Sequence, residues 1–466
     1  MQKKDSYYYR TIIEGLEETI KSVDSNAVRY REENVHIKLS KAYRISKHLA
    51  MLGDSLRKST VGKGYRFLKR SYRKARLFSQ HKTSATKRPV DEIMHSEYNV
   101  STRTEEQDKK ILVGLVLRDG NIRPQSSAFI RLVAPLTTQP LDKKVQLHVF
   151  GEDISADTDE QKSIDIFIVQ RTAFSTLAKA KLFYENVKKN DAKLVIDLDD
   201  ALGMLDKSHE QFIIQHKCLE ALDFLVNNCD QLWCSTNKIA EYYSDISTKT
   251  IVVRNAIDAK KWPNLTPPNL RLPAKSSSEP LKILYMGTRT HLGDYNMIAP
   301  AFDRLHAIAP GSFEVTVIGV SGSISARPYV KRLQPPQELT VYPRFTKWFS
   351  DYQDCFDIGI SPLEDTPFNQ AKSDIKCVDY LAIRAMPMLS SLSPYLDSDL
   401  IPYALLVDNT VDAWTDALLG LVQNPDILAE HRVTVEKGYE FVLKNRSVSQ
   451  ISTILDKQIE ELTGKK

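Results

Sequence analysis

The sequence predicts an α/β protein made of two consecutive doubly wound, Rossmann-like domains, preceded by a helical, basic extension. Three observations predict it. Short apolar runs alternate with helical stretches through most of the chain. The Pro/Ser-rich segment TPPNLRLPAKSSSEP interrupts the alternation, which then restarts. The length of 466 residues exceeds what one hydrophobic core usually organises. The expected divisions are residues 1–105 for the extension and linker, 106–268 for the first domain, and 269–466 for the second with its C-terminal helices.

In the extension, IIEGLEETIKSVDSNAVRYREENVHIKL reads as a long polar helix without sustained heptads. Beyond it, Val61, Tyr65, Leu68, Tyr72, Ala75 and Phe78 recur at intervals of four and three to form one apolar stripe. Arg66, Lys69, Arg70, Arg73 and Lys74 occupy the other faces. Twelve Lys/Arg and no Asp/Glu lie between Ser55 and Val90, which leaves 52 basic against 59 acidic residues elsewhere despite a net charge of +5. A basic amphipathic helix over Leu56–Gln80 fits an anionic membrane surface; a helix docked on the chain's own acidic body or on a partner is the competing reading. Motifs for stacking bases or reading a groove are missing, so nucleic acid is not an expected partner. HKTSATKRPVDE is the linker that follows.

The first domain opens with ILVGLVL, the loop RDGNIRPQSS and the helical AFIRLVAPL. VQLHVF, IDIFIVQ, KLVIDLDD, QLWCS and TIVVRN continue the strand series, separated by helices such as FSTLAKAKLFYENVKKN and HEQFIIQHKCLEALDFLVNNC. In the second domain KILYMGT, FEVTVIG, LTVYP, DIGISP, PMLSS and ALLVD read as strands, and YNMIAPAFDRLHAIA as a helix. No apolar run approaches the roughly 18–20 residues that span a bilayer, and MQKKDSYYYR has no signal-peptide core, so the body is expected in the cytoplasm. Five cysteines show neither paired nor metal-ligand spacing, which suits a reducing compartment.

Candidate chemistry concentrates in Ser361–Ser391, SPLEDTPFNQAKSDIKCVDYLAIRAMPMLSS. A strand over Phe356–Ile360 and a polar loop lead to a helix start at Ser373–Asp374, where Ser373 can cap and Asp374 suits the positive end of the dipole. Ile375, Val378 and Ala382 fall on one helical face, while Lys372, Lys376 and Asp379 share another. Backbone N–H groups flanked by two ammonium groups make a site for a diphosphate, and a carboxylate one turn on can accept ribose hydroxyls. A solvated helix end carrying ordinary charges is the alternative. After the first strand of this domain, MGTRTHLGDYN offers Gly287 for close backbone approach, Thr288, the guanidinium of Arg289, and His291 with Asp294 at a helix start.

The string PFNxxKSxxKxxDYxAxxxxPMxxS resembles the C-terminal motif of retaining GT-B glycosyltransferases, especially the large family four group and its relatives in bacterial surface-polysaccharide synthesis. The resemblance covers residues 110–444. It implies two Rossmann-like domains facing across a cleft, a nucleotide-sugar donor held by the second domain, an acceptor glycan or glycolipid held by the first, and hexosyl or deoxyhexosyl transfer. In that family two glutamates bracket the loop and helix start; here Asp379 stands at the second and Ala371 at the first. By this resemblance Lys372 and Arg289 are the expected catalytic cations, and Gly287, Thr288, His291, Asn369, Ser373, Lys376 and Asp379 the donor contacts. No cofactor and no metal are implied, because fixed cations can stabilise the leaving diphosphate. The protein is expected to lie peripherally on the inner face of the cell membrane.

Expected acceptor contacts are Arg123, Ser126, Ser127, Arg131, Asp199 and Asp200, at the carboxyl edge where open α/β sheets bind ligands. Arg118 and Gly120 share that loop, and Arg171 follows the strand IDIFIVQ. Asn255 and Asp258 read as structural hinge residues. Asp197 and Asp199 also form an Asp-x-Asp at a strand end, which in GT-A enzymes coordinates a divalent cation, so a metal-dependent transferase is one alternative. A catalytically weak GT-B scaffold in a polysaccharide assembly complex is another, and a sugar-nucleotide epimerase a third. The aromatic cluster Tyr342, Phe345, Trp348, Phe349 and Tyr352 suits either a stacked base or core packing.

Overall fold

The structure, a computed structural model, describes residues 110–465 apart from 119–125, 156–161, 208, 210, 246–248, 263–264, 266–278, 321–323, 325 and 343. The expected N-terminal helices, the basic stripe and Leu56–Gln80 lie outside the described residues, as do Gly120 and Arg123.

The first domain carries β1 (Ile111–Val116), β2 (Val145–Phe150), β3 (Ile166–Gln170), β4 (Lys193–Leu198), β5 (Gln231–Cys234) and β6 (Thr250–Val252) in one parallel sheet of order 2-1-3-4-5-6. These strands read as near-continuous apolar runs because both faces of a parallel sheet are covered. Ile111, Val113 and Leu115 enter the core beneath helix α1 (residues 126–136, with a π-helical turn over Phe129–Val133). Val116, Phe167 and Val169 enter the opposite core with α2 (Leu177–Lys189) and α3 (Phe212–Asn228). The short α4 (Asn237–Tyr242) begins where Thr236 Oγ1 accepts the Ile239 N–H, an N-cap.

The second domain repeats the scheme with β7 (Leu281–Met286), β8 (Phe313–Ile318), β9 (Val330–Leu333), β10 (Ile358–Ser361), β11 (Met386–Ser390) and β12 (Leu405–Val407), again all parallel, in order 12-11-10-7-8-9. Its helices are α5 (Leu292–Ile308), α6 (Arg344–Phe349), α7 (Pro367–Gln370), α8 (Ile375–Ala382), α9 (Val411–Gln423) and α10 (Pro425–Asn445). One expected strand is displaced. In place of the expected strand LTVYP, Leu339 ends a 3-10 turn and Thr340–Tyr342 follow as bends and a turn, and the sheet's edge is instead Val330–Leu333, where Lys331 and Arg332 face solvent. Adjacent charges on an edge strand hide its period-two signal. Phe345, Trp348, Phe349 and Tyr352 pack on one another at ring separations of 4.9 to 5.7 Å over the second-domain core, so they form packing rather than a base platform.

Helix α8, which carries Lys376 and begins three residues after Lys372, is fixed to the sheet by one ring. The Tyr380 side chain lies across Gly359, where a Cβ would collide with it, and its hydroxyl donates to the Ile360 carbonyl at 2.8 Å while accepting the Met286 N–H at 3.3 Å. A last helix, α11 (Val448–Thr463), returns to the first domain. Val448, Ile451, Leu455 and Ile459 join the core beneath β1, and Lys144 pairs with Asp456 and Glu460 at 2.8 and 2.7 Å. None of the five cysteines forms a disulfide. Among the described residues no helix is long and apolar enough to cross a membrane.

Candidate functional site

In both sheets the strand order reverses once, between β1 and β3 in the first and between β7 and β10 in the second. Such switch points leave a crevice outside the carboxyl ends of the strands. The two crevices meet in one cavity of about 370 Å³. The first domain contributes Ser126 and Ser127 after β1, Arg171 after β3, Asp199 and Asp200 after β4, and Asn255 after β6. The second contributes Thr288, Thr290 and His291 after β7, Phe368, Lys372, Ser373 and Lys376 after β10, and Tyr395 after β11.

The second-domain wall is cationic. Lys376 is half-buried, but its Nζ is fully buried, has no hydrogen-bond partner among the described residues, and stands 5.6 Å from the centroid of the Tyr285 ring. Burial, reinforced by neighbouring Lys372, drives its pKa down to about 7. Lys372 Nζ lies 5.3 Å from the Phe368 ring centroid, and burial lowers its pKa while Asp200 and Asp294 pull it upward. His291 sits against Asp294, Nδ1 to Oδ2 at 2.8 Å. Burial, then Lys376, outweigh that carboxylate and press the imidazole down to about 3, so it is neutral at physiological pH. A neutral ring donating from Nδ1 to Asp294 keeps its Nε2 lone pair as an acceptor. Gly287 permits this turn, since a Cβ there would stand 3.0 Å from His291 Cβ.

The first-domain wall is built around Arg171, which follows β3 in the left-handed region at φ 51°. Its guanidinium donates to both oxygens of Asp199 and, at 2.6 Å, to Asp200 Oδ2. Burial raises the Asp200 carboxyl, with Arg171 as the chief opposing charge. Ser127 Oγ is buried and has no partner among the described residues.

Several expected contacts have other partners. Arg131 is 3% exposed and buried under the sheet: it grips Asp197 through Nε and Nη2 at 3.0 and 2.6 Å and donates through Nη1 to the Val253 carbonyl, so it does not line the cavity. Asn369 is buried, with its amide donating to Asp294 Oδ1 at 3.2 Å and the Glu364 carbonyl at 2.9 Å, which positions the loop instead of facing a ligand. Asp379 does not line the cavity either; burial raises its carboxyl to about 7, with Lys376 pulling it down. Asp374 occupies the N-cap position of α8, but its side chain makes an ion pair with Arg446 at 2.5 Å instead of capping. Arg289 opens the 3-10 turn Arg289–His291, and its side chain lies outside the described ones.

Ala371 explains its own departure from the motif. Its methyl is 1% exposed and belongs to the first-domain core, while its carbonyl accepts the Thr236 hydroxyl at 3.0 Å. A carboxylate here would be buried in apolar surroundings away from the cavity. Ala371→Glu is therefore expected to destabilise the fold by on the order of 3 kcal/mol, read as a lower melting temperature without any gain in sugar-nucleotide affinity.

In the sequence Arg171 carries no expected ligand role, Asn255 reads as structural, and nothing marks His209, Phe368 or Tyr395 as cavity residues. Position after a strand end is the one signal that singles out Arg171 and Asn255. The Asp-x-Asp carboxylates are each matched to an arginine, Asp197 to Arg131 and Asp199 to Arg171. Among the described residues no cluster of His, Cys, Asp and Glu has the arrangement of a metal site.

No protein-family model matches the chain, nor does any curated protein. Solved structures do resemble it. Sucrose-phosphate synthase from Thermosynechococcus elongatus aligns over 76% of this chain and 100% of its own, with a TM-score of 0.53 and 10% identity. HepE of Anabaena, in complex with UDP and glucose, aligns over 76% and 100% with a TM-score of 0.52 and 8% identity. Trehalose-6-phosphate synthase OtsA aligns over 76% and 99% with a TM-score of 0.50 and 11% identity. These likenesses and the chain's own two six-stranded parallel sheets, meeting at their switch points, give it the GT-B fold of two Rossmann-like domains.

Proposed function

We propose that this chain is a glycosyltransferase that moves a hexosyl or deoxyhexosyl group from a nucleotide-sugar donor to a growing, lipid-linked surface glycan. Retention at the anomeric carbon, independence of metal and a peripheral place on the inner membrane face belong to the same proposal. The observation that carries it is the buried ammonium of Lys376, without a hydrogen-bond partner among the described residues, beside Lys372 at the second-domain switch point. An ammonium out of water with no hydrogen-bond partner, and with Asp294 and Asp379 too weak to offset its burial, is costly, and a ligand diphosphate supplies the missing contacts and charge.

In this reading the C1–O bond to the diphosphate breaks and a bond from C1 to the acceptor oxygen forms. The acceptor's proton passes to a phosphate oxygen of the leaving group. Lys372 and Lys376 stabilise the charge that grows on the diphosphate. The neutral His291 accepts a hydroxyl hydrogen bond through Nε2, and Asp199 and Asp200, held by Arg171, face the acceptor side. The arginine matched to each Asp-x-Asp carboxylate supports a metal-free site, because the oxygens that would bind a cation already accept guanidinium protons. EDTA is then expected to leave turnover intact.

The test is calorimetric titration with UDP, GDP, dTDP and ADP, followed by transfer assays with the matching sugar nucleotides. UDP is the first probe because HepE, of the same fold, is seen with UDP and glucose. Binding with proton uptake near pH 7 is expected, since an anion raises the Lys376 pKa from about 7. Affinity should fall as pH rises above 7, approaching tenfold per unit for one linked proton. Binding without turnover on any donor would favour the scaffold reading, product without acceptor an epimerase, and no binding at all would sink the proposal.

A further inference from the structure

Asn255 stands between the two domains with both ends of its amide engaged. It is 6% exposed yet its side chain reaches the cavity wall. Arg131 Nη1 donates to Asn255 Oδ1 at 3.0 Å, and Asn255 Nδ2 donates to Ser373 Oγ at 2.8 Å. The polarity of this chain is forced. A guanidinium can only donate, so the amide atom facing Arg131 is the oxygen, and the atom facing Ser373 is the nitrogen. The nitrogen in turn can only donate, so Ser373 Oγ is the acceptor and its own proton must point elsewhere. That proton has no acceptor among the described residues, and Ser373 lines the cavity beside Lys372 and Lys376.

Arg131 cannot turn away from this task. Asp197 holds its Nε and Nη2, and the Val253 carbonyl takes Nη1 at 2.7 Å. Asn255 is pinned by its backbone as well, because its carbonyl accepts Arg446 Nε at 3.0 Å.

We propose that Asn255, set by Arg131, is a positioning residue that fixes the Ser373 hydroxyl as a hydrogen-bond donor to an anionic phosphate oxygen in the cavity. This rests on the reading of the cavity as a diphosphate site. The relay runs from the first domain into the second, so the donor hydroxyl is oriented only while the two walls are together. Binding of the anion and apposition of the walls thereby favour each other. A cap, the role expected for Ser373, would turn its oxygen to a backbone N–H; the structure places the Asn255 amide against that oxygen instead.

The experiment is a double-mutant cycle on the full chain, with inorganic pyrophosphate and UDP each titrated calorimetrically. Ser373→Ala is expected to weaken pyrophosphate binding about tenfold, as the loss of one charge-assisted hydrogen bond does. Asn255→Asp preserves shape and the Arg131 contact but cannot donate, so the Ser373 hydroxyl turns to the new carboxylate and presents a lone pair to the anion. The added negative charge weakens binding in either background; only the part carried by Ser373 disappears in Ser373→Ala. Asn255→Asp should therefore cost at least about fivefold more in the presence of Ser373 than in its absence. Equal losses in both backgrounds, or no pyrophosphate binding by the unaltered chain, would overturn the proposal. Asn255→Ser keeps a small polar group without fixing the polarity, and its loss should also shrink in the Ser373→Ala background. Pyrophosphate binding with this coupling but no nucleoside diphosphate binding and no sugar transfer would sink the glycosyltransferase reading and leave the relay standing. Transfer without the coupling would do the reverse.

Discussion

Lys376→Met is expected to cut the proposed sugar transfer roughly 10²- to 10³-fold and, in the ligand-free protein, to raise the melting temperature by a few degrees. Both outcomes have one cause. Burial holds the Lys376 ammonium at a pKa of about 7, far below an ordinary lysine, and the nitrogen has no hydrogen-bond partner among the described residues. Keeping such a group out of water costs on the order of a few kcal/mol at neutral pH. Methionine fills a similar volume, keeps its contact with the Tyr285 ring and removes that cost. The gain has a definite pH window. The folded pKa lies below the unfolded one, so the penalty is full below pH 7 and fades as the pH rises toward 10.5, and the variant's advantage fades with it. Part of the gain is returned, because Asp379 loses the cation that restrains its raised pKa. For activity, losing one of two cations on the leaving diphosphate removes transition-state stabilisation worth roughly 10²- to 10³-fold in kcat. Thermal denaturation from pH 6 to 10 alongside a transfer assay reads both signatures. A variant that loses activity but melts lower at every pH would contradict the account of Lys376 as a cation kept at a cost for its ligand.

How much of this was legible in the sequence depends on how local each interaction is. The strands of both sheets are short apolar runs that need nothing but their own composition to be seen, and Val330–Leu333 escapes because two adjacent charges occupy an edge. Lys372 and Lys376 are legible because helical spacing and proximity to a strand end are local facts. The partners that decide side-chain roles are not local. Arg131 meets Asp197 66 residues away and Asn255 124 residues away, so its burial under the first sheet cannot be read from its place in a polar-looking loop and helix. Ala371 reads as a gap in a motif, and only the packing of the first domain against it shows that its methyl is part of a core. Arg171 takes a left-handed backbone that nothing in IDIFIVQ announces, and its two aspartates arrive from the next strand.

The largest stability effect is expected from Arg446→Ala, at about 3–5 kcal/mol. Arg446 follows α10 at the start of the junction that carries the chain back to the first domain, and the residue is 2% exposed. Its Nη2 pairs with Asp374 at 2.5 Å, its Nη1 with Asp399 at 2.5 Å, and its Nε donates to the Asn255 carbonyl. Its backbone continues the same junction: the Ile257 N–H donates to its carbonyl at 2.8 Å, and Val448 N–H donates to the Ile257 carbonyl at 2.9 Å. Removing the guanidinium strands Asp374 as a buried carboxylate with, among the described residues, only the Ser398 hydroxyl as a side-chain donor. Asp374 lies between Ser373 and Ile375, which both line the cavity, so the same loss loosens the start of α8 and weakens pyrophosphate binding as well as melting. The double variant Arg446→Met with Asp374→Leu separates the two contributions. It removes the stranded charge along with its partner, and most of the stability should return, because a buried pair is often no more stabilising than apolar groups of similar volume. Anion affinity should stay low, since the carbonyl of Asn255 has lost its donor and the relay to Ser373 its backbone anchor. If stability and affinity recover together, Arg446 acts only by neutralising Asp374; if affinity alone remains depressed, the junction between the domains is also what holds the site in register.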